Sequence, residues 1–255
     1  MRFGLNRSKL KTIALIFMVI DHIGIFLPGV FGLMSHPITR FVAPLFAYLM
    51  VDGFFYTKSR GKYCLRLWIA AILMQIGDVL SFLVFKENGI QNNIFLTLAL
   101  GFSIIWLFEI AKISETKGKK IGFRVLAIVL TLISIILSGV WIPLCFGCKL
   151  GVEGGLELIP FILIVYFFYK SKWKQAVGIF AYSMLQLFLL YGGIELFSDL
   201  PMLCINCEWM TFIVIPFIFL YNGEEGKKSK FGKWFFYVFY PVHLWVIEVV
   251  RMVVG

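Results

Sequence analysis

Long apolar runs fill this sequence almost from end to end, and they constrain its fold more than any other feature. Most of the runs approach the 17–25 residues that an α-helix needs to cross a bilayer, and charged or turn residues bound them. Because lipid offers no water to satisfy backbone groups, a helix is the only spanning structure for such runs. The sequence therefore predicts an all-α, polytopic helical bundle of about nine spans, near Leu10–Val30, Arg40–Tyr56, Tyr63–Phe85, Asn93–Ile113, Ile121–Trp141, Gly151–Tyr169, Ala176–Tyr191, Trp209–Tyr221 and Trp234–Val249.

The composition argues against a water-soluble domain. Of the 255 residues, 60% are hydrophobic and only 15% are charged, whereas soluble domains average about 45–50% apolar and about 25% charged residues. The formal net charge is +10. In a membrane protein, the first explanation for such a charge is an excess of basic residues in the cytoplasmic segments, which sets the orientation. Binding of an anionic partner is the second explanation. We predict membrane lipid, and no nucleic acid, among the partners.

The basic residues are distributed very unevenly between the connectors. If the amino terminus is cytoplasmic and the spans alternate, 20 of the 24 Lys and Arg residues fall on the inner side. The four outer ones are Arg40, Lys86, Lys149 and Arg251. This bias predicts a cytoplasmic amino terminus and an outer carboxyl terminus. With no internal repeat or long linker, residues 1–255 are predicted to form one domain.

Three ionisable side chains are predicted to lie at one depth on different spans. His22 follows Leu10 by about 18 Å of helix, and Asp78 and His243 lie similarly far from the inner ends of their own spans. Buried ionisable groups cost about 2.5–3.5 kcal/mol on insertion scales, so each is a functional candidate. Hydrogen-bonded helix packing is the competing explanation. Asp21 need not contact the His22 ring, because neighbours on a helix point in different directions.

A buried neutral histidine suits two kinds of function. Its unperturbed pKa near 6.5 lets it take a proton from an attacking amine or hydroxyl, as acyl transfer requires. The same groups suit a proton-coupled transporter. The residue pattern alone leaves both functions open.

Two Cys-x-x-Cys pairs form a second group of candidate residues. Both lie in connectors that are predicted to be on the outer side of the membrane. The residues are Cys145, Cys148, Cys204 and Cys207. Their spacing suits zinc, and an oxidising compartment favours disulfides, so disulfides, structural zinc and free thiols all stay open. No metal site is predicted among the other residues.

A basic cluster follows the second predicted span on the inner side. It comprises Lys58, Arg60, Lys62 and Arg66. Orientation and lipid contact explain such a cluster. A phosphate site for a nucleotide-bearing donor such as coenzyme A is the sharper alternative, because the arginine fork binds phosphate well.

Several short motifs lie along nearly the whole chain. They are residues 10–15 (LKTIAL), 18–24 (MVIDHIG), 40–49 (RFVAPLFAYL), 52–54 (DGF), 63–67 (YCLRL), 93–98 (NIFLTL), 221–223 (YNG) and 236–244 (FYVFYPVHL). The combination of an Asp-His pair in the first span with Tyr-Pro-x-His-Leu in the last is the most specific part. With these motifs the chain resembles the TraX family of F-pilin acetylases and related bacterial membrane proteins. One departure is Gly77 before Asp78, where the family usually has proline.

The resemblance implies a multi-pass acetyltransferase of the bacterial cell membrane, within the broader transmembrane acyltransferase group. Acetyl-CoA would be the donor, and the acceptor would be a protein amino terminus, a surface glycan or a small molecule. The implied catalytic residues are His22, Asp21, Arg40 and His243. For this donor we predict Arg60, Lys62, Arg66 and Asn93 as the binding residues.

Overall fold

A computed structural model describes residues 4–24, 29–86, 89–226 and 230–254, and the structural statements below concern these residues. The fold is all-α apart from one two-stranded antiparallel ribbon. The helices are α1 (Arg7–Gly24), α2 (Gly29–Thr39), α3 (Val42–Tyr56), α4 (Arg60–Phe85), α5 (Ile94–Ile113), α6 (Lys117–Ser138), α7 (Gly155–Phe167), α8 (Lys172–Leu190), α9 (Leu200–Ile205), α10 (Ile215–Leu220) and α11 (Lys230–Val254). Strands β1 (Ile142–Pro143) and β2 (Lys149–Leu150) follow α6, and 3-10 helices cover Gly193–Ser198 and Glu208–Val214.

The helices group into two compact units. We call Met1–Leu49 with Phe167–Gly255 the terminal unit, and Met50–Tyr166 the central unit. The division falls within α3, which contributes to both. The single domain expected over residues 1–255 stays a prediction.

In the terminal unit, α1 packs against α2 and α11, and α2 also packs against α9. Helix α8 packs against the 3-10 helix Glu208–Val214, with Leu187, Leu196 and Trp209 forming a buried cluster. In the central unit, α5 packs against α4 and α6. The core there includes Ile104 and Ile159, both fully buried.

Four described stretches are helical, long and apolar enough to cross a membrane. They are Gly29–Tyr56, Arg60–Phe85, Ile94–Ile113 and Lys117–Ser138, and two shorter apolar helices cover Gly155–Phe167 and Glu208–Leu220. The hydrophobic side chains of α6 are largely exposed, as expected for a helix that contacts lipid. The count of nine spans and their orientation stay predictions.

The predicted first span, Leu10–Val30, was wrong in its extent. Helix α1 ends at Gly24, residues 25–28 lie outside the described residues, and the predicted outer connector is helix α2. Pro37 lies inside α2, where proline normally costs a hydrogen bond. Helix α2 packs closely against α1, because a side chain on Gly24 would collide with Ser35.

The predicted eighth span, Trp209–Tyr221, is also not one regular helix. It consists of the 3-10 helix Glu208–Val214 followed by α10, with non-helical backbone angles at Met210. Pro216 stands at the start of α10, where its missing N–H is tolerated. This proline explains the change of helix type at that point.

Candidate functional site

Asp21, in the last turn of α1, is the centre of a polar cluster in the terminal unit. Its Oδ1 accepts hydrogen bonds from His36 Nδ1 at 2.8 Å and from Thr39 Oγ1 at 2.5 Å. Arg40 Nη2 lies 3.3 Å from the same oxygen and 3.4 Å from Oδ2. The carboxylate therefore holds the end of α2 and the following arginine against α1.

The end of α2 is built to present these three partners together. His36, Thr39 and Arg40 are three and four residues apart, so they share one helical face. The His36 carbonyl accepts from Thr39 Oγ1 at 3.0 Å and from Arg40 Nε at 3.1 Å. These bonds satisfy a carbonyl that the helix end would otherwise leave without a partner.

His22 and His243 meet in the terminal unit. Their ring centroids are 5.0 Å apart, and the rings are nearly perpendicular at 82°. His22 is half-buried, whereas His243 is only 7% exposed. Phe239 stacks on the His243 ring at 5.2 Å, so the pair lies in largely aromatic surroundings.

The hydrogen bonds of the pair select one tautomer of each ring. His22 Nδ1 lies 2.7 Å from the Met18 carbonyl, and His243 Nδ1 lies 3.0 Å from the Phe239 carbonyl. A carbonyl can only accept, so both Nδ1 atoms carry hydrogen and both neutral rings keep their lone pair on Nε2. His243 Nε2 is buried without a hydrogen-bond partner among the described residues. In these neutral tautomers Nε2 is therefore the basic nitrogen of both rings.

The predicted donor-binding residues lie in the central unit. Three of them are on the first two turns of α4. The Arg60 guanidinium lies 4.4 Å from the Phe54 ring centroid, and that of Arg66 lies 5.4 Å from the Tyr63 ring centroid. Lys62 is exposed, and its backbone N–H donates to the α4 N-cap, Ser59. The three thus share the start of one helix, and their joint role in donor binding stays a prediction.

Asn93 has a structural task that the sequence did not indicate. It is the N-cap of α5, where its Oδ1 accepts from the Leu96 N–H at 3.2 Å. Its Nδ2 donates to the Ala71 carbonyl at 3.0 Å and to Gln75 Oε1 at 3.3 Å. These bonds tie α5 to α4, and a role for Asn93 in donor binding stays a prediction.

Comparison with known proteins identifies the family of this chain. The family model described as TraX protein matches residues 6–251, which is nearly the whole chain. The chain belongs to the TraX family. It is also similar to the "Probable fimbrial assembly protein FimC, serogroup H1" of Dichelobacter nodosus, with 25% identity over 252 residues, 92% of this chain and 91% of the relative. No solved structure matches.

In this TraX-family chain the four cysteines of the Cys-x-x-Cys pairs divide between the units. Cys145 and Cys148 lie in the central unit, Cys204 and Cys207 in the terminal unit, and all are free thiols in the structure, as is Cys64. Among the residues described, no group of three or more His, Cys, Asp or Glu side chains is arranged to hold a metal ion. Burial raises the pKa of Cys207 to about 12, although the Arg40 guanidinium acts in the opposite direction. Burial and the nearby Asp78 carboxylate raise the pKa of Cys148.

Sequence reasoning missed His36 because it assigned this residue to a connector. The one available signal was the spacing of His36, Thr39 and Arg40, which share a face only if the segment is helical. The four predicted catalytic residues lie in two pairs. His22 contacts His243, and Asp21 contacts Arg40.

Proposed function

We propose that this TraX-family chain is a membrane acetyltransferase that moves an acetyl group from cytoplasmic acetyl-CoA to an amine or hydroxyl acceptor at or across the membrane. The observation that carries the proposal is the pair His22–His243, with both Nδ1 atoms bonded to helix carbonyls and both lone pairs on Nε2. Acyl transfer needs a base of this kind. Family membership supports the same reaction class.

His22 has the central role in this proposal. Its Nε2 takes the proton from the acceptor as the acceptor nitrogen or oxygen bonds to the thioester carbonyl carbon. The carbon–sulfur bond then breaks, and the leaving thiolate takes that proton from Nε2. A variant of the scheme has Nε2 attack the thioester and carry the acetyl group transiently.

The Asp21 cluster supports the reaction from beside the histidine pair. Arg40 is the proposed donor to the oxyanion that forms on the thioester carbonyl, since a fixed cation stabilises such a charge. Its Nη2 bonds to Asp21 and its Nε to the His36 carbonyl, so the guanidinium is held in one orientation. Asp21 is therefore a positioning residue for Arg40.

The start of α4 is the proposed binding site for the phosphates of the donor. Its first turn contains no acidic residue and adds two cations, Arg60 and Lys62, to the positive end of the helix dipole. These positive charges together favour the binding of an anion. Arg66 Nε, buried without a hydrogen-bond partner among the described residues, can donate to one.

Replacing Arg66 with alanine should weaken the binding of acetyl-CoA to the detergent-purified chain. A lost charge-assisted hydrogen bond is worth about 1.5–3 kcal/mol, which corresponds to a Kd roughly 10- to 150-fold higher by calorimetry. Lys149→Ala removes the same charge from the β2 ribbon and is the matched control. Equal affinities for the two variants would refute the phosphate site at α4.

The proposed acceptor is a fimbrial or pilus subunit. The Dichelobacter nodosus relative is named as a probable fimbrial assembly protein, and the resemblance to F-pilin acetylases points to the same class of acceptor. The test is mass spectrometry of surface fimbrial subunits from cells with and without the chain. An acetyl mass on the subunit only when the chain is present is the expected result.

A second candidate is proton-coupled transport, which one observation in the central unit favours. Asp78 on α4 is 2% exposed, and its Oδ1 is buried without a hydrogen-bond partner among the described residues. Glu153 lies close enough to interact with it electrostatically. Proton flux into proteoliposomes without acyl-CoA, abolished by Asp78→Asn, would favour transport over acetyl transfer.

A further inference from the structure

His36 on α2 has the geometry of a base that a carboxylate orients. Its Nδ1 lies 2.8 Å from Asp21 Oδ1, and a carboxylate paired with Arg40 is ionised and can only accept. Nδ1 therefore carries hydrogen, and the lone pair of the neutral ring is on Nε2. Asp21 Oδ1 is itself held by the Thr39 hydroxyl. These contacts fix the His36 ring in one tautomer and one orientation.

Arg40 lies against the face of the His36 ring. Its Nη2 is 3.2 Å from Nδ1 and 3.4 Å from Nε2. Such nearly equal distances place the guanidinium nitrogen above the ring, because a donor along the Nε2 lone pair would be much farther from Nδ1. The contact therefore does not use that lone pair. Since Arg40 is the proposed donor to the oxyanion, the contact also puts His36 beside the proposed reaction centre.

His36 is more accessible than the carboxylate that holds it. Its side chain is 35% exposed, compared with 20% for Asp21. It belongs to the long helical stretch Gly29–Tyr56. About 20 residues cross a hydrocarbon core, and counted back from Tyr56 they end near Pro37. His36 is thus expected at the boundary of the membrane, where a proton on its ring has a short route to water.

An amine acceptor brings one more proton than the histidine pair disposes of. Near neutral pH an α-amine, with a pKa of about 7.7–8.0, is mostly an ammonium ion, which has no lone pair for the attack. It has to lose one proton before the attack and a second as the carbon–nitrogen bond forms. In the proposed reaction His22 passes the second proton to the leaving thiolate. The first proton needs another base, whereas a hydroxyl acceptor has no such extra proton.

We infer that His36, oriented by Asp21, is this further base, an assignment that rests on the proposed acetyltransferase function. Its Nε2 takes the first proton from the acceptor ammonium, which leaves the free amine. The Asp21 carboxylate stabilises the imidazolium, which then releases its proton to water. The free amine attacks the thioester with His22 as base, and the products are an acetamide, the coenzyme A thiol and one released proton. Asp21 and His22 are consecutive in α1, so the two bases are held at one level of that helix.

The charged groups that contact the His36 ring come from two sides. Asp21 lies on α1, and Arg40 follows the end of α2. Helix α9 also packs on α2, and its titratable Cys204 bonds to Met34. The test below therefore compares chains at the same pH and uses the titration of the acceptor amine as its variable.

The test compares the unsubstituted chain with His36→Asn in proteoliposomes that receive labelled acetyl-CoA and fimbrial subunits. Asparagine keeps a side-chain N–H near the position of Nδ1 for the bond to Asp21, but it removes Nε2. We expect label in the amino-terminal peptide of the subunit that resists hydroxylamine, which cleaves acetyl esters and leaves acetamides. His36→Asn should be about five- to tenfold slower at pH 7, where it depends on the small fraction of free α-amine. At pH 9, where the amine is mostly free, the two chains should differ less than about twofold.

The measurement at pH 9 is the internal control, because a folding defect or weaker donor binding would lower the rate at both pH values. His36→Gln, which also lacks the basic nitrogen, is the second variant in case the asparagine chain does not fold, and the same profile is expected. Equal losses at pH 7 and pH 9 in both variants would assign His36 a structural role and overturn the inference. So would unchanged rates at pH 7, or label that hydroxylamine removes. Background label from the unsubstituted chain would instead overturn the acetyltransferase proposal, and the inference with it.

Discussion

Replacing His22 with alanine should lower acetyl transfer about 10²–10⁴-fold, the usual contribution of a general base, while the chain still folds. The side chain supplies the proposed basic Nε2. It bonds to the Met18 carbonyl and makes an edge contact with the His243 ring. The measurement is incorporation of labelled acetyl from acetyl-CoA into membranes that contain equal amounts of each variant.

Ile16→Ala is the matched control for this variant. Ile16 lies on the same helix, about one and two-thirds turns earlier, and is 55% exposed. Its truncation therefore tests the effect of a shortened side chain in α1 that leaves His22 in place. We expect wild-type transfer for Ile16→Ala and an unchanged melting temperature for both variants. Full activity of the His22→Ala chain would remove His22 from the mechanism.

Replacing Asp21 with alanine should destabilise the terminal unit by roughly 2–4 kcal/mol. The Asp21 and Arg40 side chains are both about four-fifths buried, at 20% exposure each. Removing the carboxylate leaves Arg40 and His36 without their acceptor in a poorly solvated place. The measurement is the free energy of unfolding in detergent, monitored by circular dichroism.

A double-mutant cycle separates the loss of the ion pair from the loss of packing. Arg40→Met removes the charge that Asp21→Ala leaves uncompensated, so the double variant should be more stable than the sum of the two single effects implies. Glu195→Ala removes the same charge from an exposed position and should change stability by less than about 0.5 kcal/mol. Strict additivity in the cycle would show that Asp21 and Arg40 are not coupled.

Hydrophobic patterning predicted the all-α class and the long helices because backbone groups in lipid have to bond within their own segment. The pattern could not predict α2, since Gly32, Ser35 and Pro37 usually mark a connector. Its helix depends on tertiary bonds to Asp21 and on the close approach of Ser35 to Gly24. Such contacts lie between segments and leave no periodic signal in the sequence.

The sequence predicted part of the candidate site, namely the features that depend on position along a single helix. Counting residues along two spans placed His22 and His243 at equal depth, and the structure brings their rings together. Helix geometry also indicated that Asp21 need not face its neighbour, and its bonds go to α2 and Arg40. The capping role of Asn93 depends on where α5 begins, which hydrophobicity alone does not define. The chemical roles of these residues stay predictions.

Acetyl transfer by the purified chain in proteoliposomes tests the central claim most directly. Labelled acetyl-CoA is supplied on one side with fimbrial subunits or a bacterial membrane extract as acceptor, and label bound to acceptor is counted for the unsubstituted and His22→Ala chains. The acetyltransferase account predicts label that accumulates with time for the unsubstituted chain and stays at background for His22→Ala. Equal label from both chains, or background label from the unsubstituted chain with every acceptor, would contradict it.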